Sequence, residues 1–324
     1  MTFDFNSASK LRSLFGLVAL GVLAACGGGG GGSGSSEPGD VPEITRGVSP
    51  AKLDDIATGV VMETYGVSTS ITYDATGSTN TSISNNVKKP NATRAEKLAT
   101  TDQYRFHFRS SPLTVDVTLP TSGTVTQRGS TNVNVTFRPA SGTYDYTAAG
   151  VWALDRSSTG KSDLRGGYAF GIPSENSGLQ ALANQTVTYN GTVAAAYVNA
   201  TTASDVTGTA AVTATFNSGA TANGTLNGTL SNLTLVDVSG TPALGDITIA
   251  GNISGPEIDE KNVTFTSNGA AVNSFDFGAG VSGNVAGAFY GPAGEELGLT
   301  FRMTDAGSGS AATKGLAGGA ALKR

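Results

Sequence analysis

The sequence predicts an all-β protein, an eight-stranded antiparallel soluble β-barrel preceded by a small β-rich handle-like domain. Three observations lead there. From about residue 45 onward apolar residues alternate with polar ones, the period-two signature of half-buried strands. Glycine and asparagine punctuate the alternating runs, as in "NSGATANG" (217–224) and "GPAG" (291–294), and the chain carries 45 glycines in 324 residues. Helix signals are few. Ser49 before Pro50 is patterned as a helix start, and Thr93–Ala99 as a second short helix.

The amino end is organised differently. Lys10 and Arg12 precede an apolar stretch from Leu14 to Ala25. As a helix this stretch would span roughly 18 Å, short of the ~30 Å hydrocarbon core of a bilayer. It therefore reads as a removable export signal, residues 1–25. Leu23-Ala24-Ala25-Cys26 resembles a bacterial lipobox, and Cys26 is the chain's only cysteine. The resemblance implies acylation of Cys26 after cleavage. Several acyl chains, at ~0.8 kcal/mol per buried methylene, anchor stably where one would not. Residues 26–44, with six consecutive glycines after Cys26, then form a Gly/Ser-rich tether with an r.m.s. span of roughly 25 Å.

Residues 45–142 are assigned to the handle-like domain. Val67, Thr69, Ile71 and Tyr73 alternate with polar neighbours; so do Leu113, Val115, Val117 and Leu119, and then Val133, Val135 and Phe137. Residues 143–324 are assigned to the barrel. Candidate strands there are 143–155, 166–173, 186–199, 208–217, 224–236, 246–254, 281–291 and 296–303, with 262–267 as a short companion. Eight strands close into a barrel whose interior side chains just fill it, and closure removes exposed sheet edges. The alanines of "TVAAAYVN" and "GTAAVTATF" supply small inward positions. A lipid-facing exterior is excluded, because Thr225, Asn227 and Thr229 suit water.

Composition narrows the function classes. The formal net charge is −5, so there is no basic surplus to neutralise phosphates and no nucleic-acid partner is expected. One cysteine and one histidine, His107, leave no internal disulfide, no thiolate zinc site and no two-imidazole site. No nucleophile has a recognisable base, so no enzyme is expected. The glycine pattern at 278, 280 and 283 leads into a strand-like segment, not the helix a dinucleotide site needs. "DRSSTGKS" (155–162) has Asp155 where a phosphate loop needs its first glycine. Glu295 and Glu296 are sequence neighbours and so take opposite faces of a strand.

"QYRFHFR" (103–109) is the most unusual stretch. Tyr104, Phe106 and Phe108 fall on one side and Arg105, His107 and Arg109 on the other. It reads first as a strand with a buried aromatic face and a wet cationic face. Arginines flanking an imidazole are also an arrangement for holding haem propionates beside an iron ligand, so Arg105, His107 and Arg109 are the candidate ligand-binding residues.

"GAFYGPAGEELGLTF" (287–301) resembles the last hairpin of the barrel domain in the transferrin-binding protein B family of bacterial lipoproteins. "YNGTV" (189–193), "TATF" (213–216) and the Lys323-Arg324 terminus also fit. Pro292 pre-sets φ for a tight turn that Gly291 and Gly294 accommodate. Phe289, Leu297, Leu299 and Phe301 then point inward, and Tyr290, Glu296, Thr300 and Arg302 outward. The resemblance covers 143–324, with 45–142 as the handle. The reading is a monomeric outer-membrane lipoprotein, displayed outside or facing the periplasm, that binds without catalysis. Its ligand would be iron-related, haem or an iron-carrier protein, or another extracellular protein or outer-membrane receptor. The transferrin binder has two such lobes, whereas this chain has one. Two further roles stay open: a structural or adhesive envelope component, and carriage of a small apolar molecule inside the barrel. Inward Tyr197, Phe216 and Phe289 would fill that space.

Overall fold

The structure is a computed structural model. It describes residues 42–73, 79–80, 86–87, 93–108, 113–155, 163–199, 203–219, 221–240, 242–267, 277, 282–305 and 314–324. The export signal, Cys26 and nearly all of the tether lie outside these residues, as do Arg109 and the 156–162 segment. No helix among the described residues is long and apolar enough to cross a membrane.

The first sheet comprises β1 (Val61–Tyr73), β2 (Thr79–Asn80), β3 (Asn86–Val87), β4 (Thr93–Lys97) and β5 (Gln103–Phe108). It continues with β6 (Leu113–Thr118), β7 (Val125–Arg128), β8 (Asn134–Pro139), β9 (Thr147–Asp155) and β10 (Asp163–Gly171). The main path runs β6-β5-β4-β1-β10-β9-β8-β7, with β2 and β3 paired to β1. Its two ends nearly meet. The Ser130 N–H donates to the Thr114 carbonyl over 2.9 Å. The Thr114 N–H donates to Ser130 Oγ over 3.0 Å.

Alternation in β4, β5 and β6 buries every second residue. The buried set forms an aromatic core, with the Phe106 ring 4.7 Å from Phe137, 5.5 Å from Tyr168 and 5.6 Å from Phe170. Trp152 belongs to the same core, 5.2 Å from Phe108.

The second sheet is a closed antiparallel barrel of eight strands. They are β11 (Thr186–Asn199), β12 (Ala203–Phe216), β13 (Asn223–Leu235), β14 (Ile247–Ser254), β15 (Glu257–Ser267), β16 (Ser282–Tyr290), β17 (Glu296–Thr304) and β18 (Lys314–Lys323). β11 closes on β18 in a register running from Asn190↔Lys323 to Asn199↔Lys314. A short helix, α1 (Asn176–Gln180), precedes β11, and its Leu179 joins Leu182 in the barrel core.

Four expectations are corrected. The domain boundary drawn at residue 143 falls inside the first sheet. β9 and β10 belong to that sheet, because β10 pairs with β1 across Thr64↔Phe170 to Ile71↔Asp163. Alternation identifies a strand but not its partner, which here lies about a hundred residues upstream. The barrel still has eight strands because Glu257–Ser267 is a full strand and Lys314–Lys323 supplies the last. "KGLAGGAALK" carries no period-two pattern and little β propensity, since it is buried on both faces. Thr93–Ala99 is not helical: Thr93–Lys97 is β4, with Ala95 fully buried in the aromatic core. After Ser49-Pro50 the chain makes only a 3-10 turn, Leu53–Asp55.

Candidate functional site

The two sheets meet over β17 and β18. Every residue of β17 is buried, inward and outward alike. The inward set, Leu297, Leu299, Phe301 and Met303, joins the barrel core. The outward set, with Tyr290 from β16, faces the first sheet instead of water.

Glu296 is the anchor of this joint. Its Oε1 accepts the Asp145 N–H at 2.7 Å, and its Oε2 accepts the N–H groups of Tyr146 and Thr147 at 2.9 Å each. Burial raises its carboxyl pKa despite these three donors.

Around the anchor the contact is made of small residues. Ala149, Ala169, Ala194, Ala196, Ala288 and Ala321 cluster with Tyr65 and Tyr290. At Gly319 an added Cβ would lie 2.6 Å from the Gly150 nitrogen and 2.6 Å from the Tyr168 carbonyl oxygen, so only glycine permits the approach. The alanines of "TVAAAYVN" are thus divided: Ala195 points into the barrel, Ala194 and Ala196 onto the first sheet.

Arg138 is a second link. It comes from β8, and its Nη2 donates to the carbonyls of Ala195 at 2.8 Å and Val206 at 2.7 Å. Its Nη1 lies 3.5 Å from Asp205. Burial dominates both partners, lowering the pKa of Arg138 and raising that of Asp205.

The barrel interior is filled. Tyr189, Tyr197, Phe216, Phe289 and Phe301 lie inside with 2% exposure or less. The Phe216 and Phe289 rings approach to 5.3 Å. The Tyr189 hydroxyl donates to the Gly294 carbonyl at 2.7 Å, tying the "GPAG" turn to the interior. Gly291 and Gly294 sit at φ of 87° and 71°, the left-handed region where glycine carries no Cβ penalty. These bulky side chains occupy the space in which a carried apolar ligand would have to lie.

The "QYRFHFR" stretch is β5 plus Arg109. Tyr104, Phe106 and Phe108 enter the aromatic core. Arg105 and His107 emerge on the outer face, each beside a carboxylate. Arg105 makes two bonds to Asp116, Nε–Oδ1 at 2.7 Å and Nη2–Oδ2 at 2.9 Å. His107 Nε2 lies 3.0 Å from Glu96 Oε2. A haem propionate arriving here would have to displace a carboxylate from one of them. Asp116 and Glu96 come from neighbouring strands, so sequence spacing gave no sign of the pairing.

Among the described residues no cluster of three or more His, Cys, Asp or Glu is placed to hold a metal. The glycine pattern at 278–283 is followed by strand β16, Ser282–Tyr290, and a nucleotide has no helix N-terminus to meet.

A cavity opens at one end of the first sheet. It has a volume of about 260 Å³ and is lined by the 3-10 turn, the β4–β5 turn and the β8–β9 connection. Asp54 lies on its wall.

Residues 183–320 match the family described as the C-lobe and N-lobe β-barrels of Tf-binding protein B. Similar solved structures include a double mutant of transferrin-binding protein B from Haemophilus parasuis Hp5, at 15% identity and a TM-score of 0.47, covering 80% of this chain and 44% of that one. Another is the isotype 1 protein from serogroup B Neisseria meningitidis, also at 15% identity and 0.47, covering 82% and 44%. Intact Ap-TbpB, with its N and C lobes, is 15% identical with a TM-score of 0.44, covering 83% and 47%. The chain thus spans less than half the length of each. No curated protein matches it by sequence. Over residues 183–320 the barrel of this chain is thus similar to the barrels of the transferrin-binding protein B family.

Proposed function

We propose that this chain is a lipid-anchored outer-membrane protein that captures a protein ligand, an iron carrier in the first instance, and performs no catalysis. The match of residues 183–320 to the transferrin-binding barrel family carries this reading. The lipobox-like sequence ending at Cys26 and the glycine tether after it supply the anchor. The large aromatic side chains packed inside the barrel, Tyr189, Tyr197, Phe216, Phe289 and Phe301, favour recognition from outside. Loops on a rigid scaffold are where such recognition commonly sits. The barrel end plugged by α1 has tight turns. The opposite end, with the β13–β14, β15–β16 and β17–β18 connections, has the longer ones.

The test has two arms. Mass spectrometry of the full-length protein from bacterial envelopes is expected to find acyl chains on Cys26, and Cys26→Ala to release the protein from the membrane fraction. Intact cells bearing the full chain are then incubated with iron-loaded transferrin and with serum. Saturable, protease-sensitive capture of an iron-carrier protein supports the reading. Anchoring without capture of any protein would leave a structural envelope component instead.

A further inference from the structure

The cavity at the end of the first sheet has a composition that its surroundings do not use. Leu53, Leu119, Pro139 and Ala148 give it an apolar side. Its charged lining is one lysine, Lys52, against Asp54, Asp102 and Asp145. Lys52 is committed to Asp145, with Nζ 2.9 Å from Oδ2. Asp54 and Asp102 make no ion pair among the described residues. Asp102 is held in place by its backbone: it takes φ 56° at the β4–β5 turn, and its carbonyl accepts the Leu119 N–H at 2.9 Å. Burial, and next the neighbouring Asp54 charge, raise the Asp102 carboxyl pKa.

The third wall is Tyr104. The residue is 1% exposed, lines the cavity, and its hydroxyl has no hydrogen-bond partner. Its ring is fixed from the core side by Phe170 at 4.9 Å, and the buried Lys97 ammonium sits 4.8 Å from the ring centroid. A buried hydroxyl without a partner is costly, and phenylalanine would fill the same space without that cost. Even with Lys97 counted, the charge around the cavity is negative.

We propose that this cavity binds the ammonium group of an unbranched alkylamine, either a lysine side chain on a partner protein or a free small amine. The alkyl stem lies along Leu53, Leu119 and Pro139. The ammonium carries three donors and finds acceptors in Asp54, Asp102 and the Tyr104 hydroxyl oxygen. The proposal is independent of the capture function assigned above, because it concerns the first sheet and not the barrel.

The test titrates the full-length protein in detergent with n-butylammonium, with N-acetyl-lysine methylamide and with uncharged 1-butanol, reading heat and ligand NMR saturation transfer. Both amines are expected to bind saturably below about 50 mM, a range suited to so few heavy atoms, and butanol not to bind. Asp102→Asn is expected to weaken amine binding about tenfold. Asp54→Asn, on the exposed turn, provides a second variant that leaves the core untouched. Tyr104→Phe is expected to weaken amine binding several-fold while leaving the unfolding midpoint unchanged or higher. Preference for the lysine derivative assigns a protein source, and preference for butylammonium a free amine. Absence of saturable binding, equal binding of butanol, or affinity indifferent to Asp102→Asn and Asp54→Asn overturns the proposal. Failure to capture an iron carrier does not bear on it.

Discussion

The barrel has two outer faces built on the same alternation and meeting opposite fates. Along β11–β13 the outward residues face water. Thr186 pairs with Thr215 at 3.2 Å and Thr188 with Thr213 at 3.4 Å, and Thr225, Asn227 and Thr229 are exposed or nearly so. Along β17–β18 the outward residues are buried beneath the first sheet. There the threonine ladder gives way to Ala317, Gly319 and Ala321, interrupted by Glu296, Thr300 and Arg302. The wet face needs only side chains that hydrogen-bond one another or water. The covered face needs backbones to approach closely, and a polar group kept there is stabilised where the protein supplies its partners, as it does for Glu296. Burial of a barrel's exterior is therefore recognisable less by apolar size than by loss of size.

Substitutions on the two faces separate these demands. The largest effect is expected from Glu296→Ala, which strips the acceptor from three backbone N–H groups at once. At about 1–3 kcal/mol per unsatisfied buried donor the upper limit is about 9 kcal/mol. Two of the three N–H groups are only part-buried and can reach water, so the loss is expected at about 3–6 kcal/mol. Denaturant titration with a tryptophan signal from Trp152, inside the first sheet, reads this directly; a loss below 1 kcal/mol would mean the joint is held elsewhere.

Gly319→Val comes next. The new side chain meets the backbone of Gly150 and Tyr168, neither of which can rotate away, and the overpacking is expected to cost about 1–3 kcal/mol. Hydrogen exchange should show loosened protection in β9 and β18 first. Uniform loosening of the whole barrel would contradict a joint-specific effect.

A smaller effect concerns pH. Burial raises the carboxyl pKa values of Glu63, Asp205 and Glu296, with Glu257 adding to the rise at Glu63. The folded state thus holds these protons more tightly than the unfolded chain does. Their contribution to stability is complete below the unfolded carboxylate range and is lost as pH rises through the folded values. Between pH 7 and about 5 the unfolding midpoint is expected to rise, and Glu63→Gln to flatten that rise. A midpoint that falls over this window, equally in the variant, would contradict the sign.

The smallest effect belongs to the wet face. Thr213→Val keeps the β-branched shape and removes one exposed hydroxyl pair, so the change is expected to stay within about 0.5 kcal/mol. A cost comparable to Gly319→Val would mean that this face is covered too.

Much of the fold was legible locally. Alternation located β6, β8, β11 and β13, and within residues 103–108 the split into core rings and outer Arg105 and His107 stands as read, Arg109 lying outside the described residues. The inward set Phe289, Leu297, Leu299 and Phe301 was assigned from the hairpin alone. β18 was not visible, because a strand buried on both faces by Ala and Gly has neither period nor propensity. The charges beside Arg105 and His107 were equally hidden, since Asp116 and Glu96 become neighbours only through the β4–β5–β6 register.

Sequence alone determined that this chain is built of strands and which faces of most strands are apolar. These are properties of spacing along one segment. Only the tertiary structure decided which sheet each strand joins, because pairing depends on distant partners and period two is the same for all of them. Only it turned the outward Tyr290, Glu296, Thr300 and Arg302 from expected surface into interior, since burial of a barrel's outside is a property of what is laid against it.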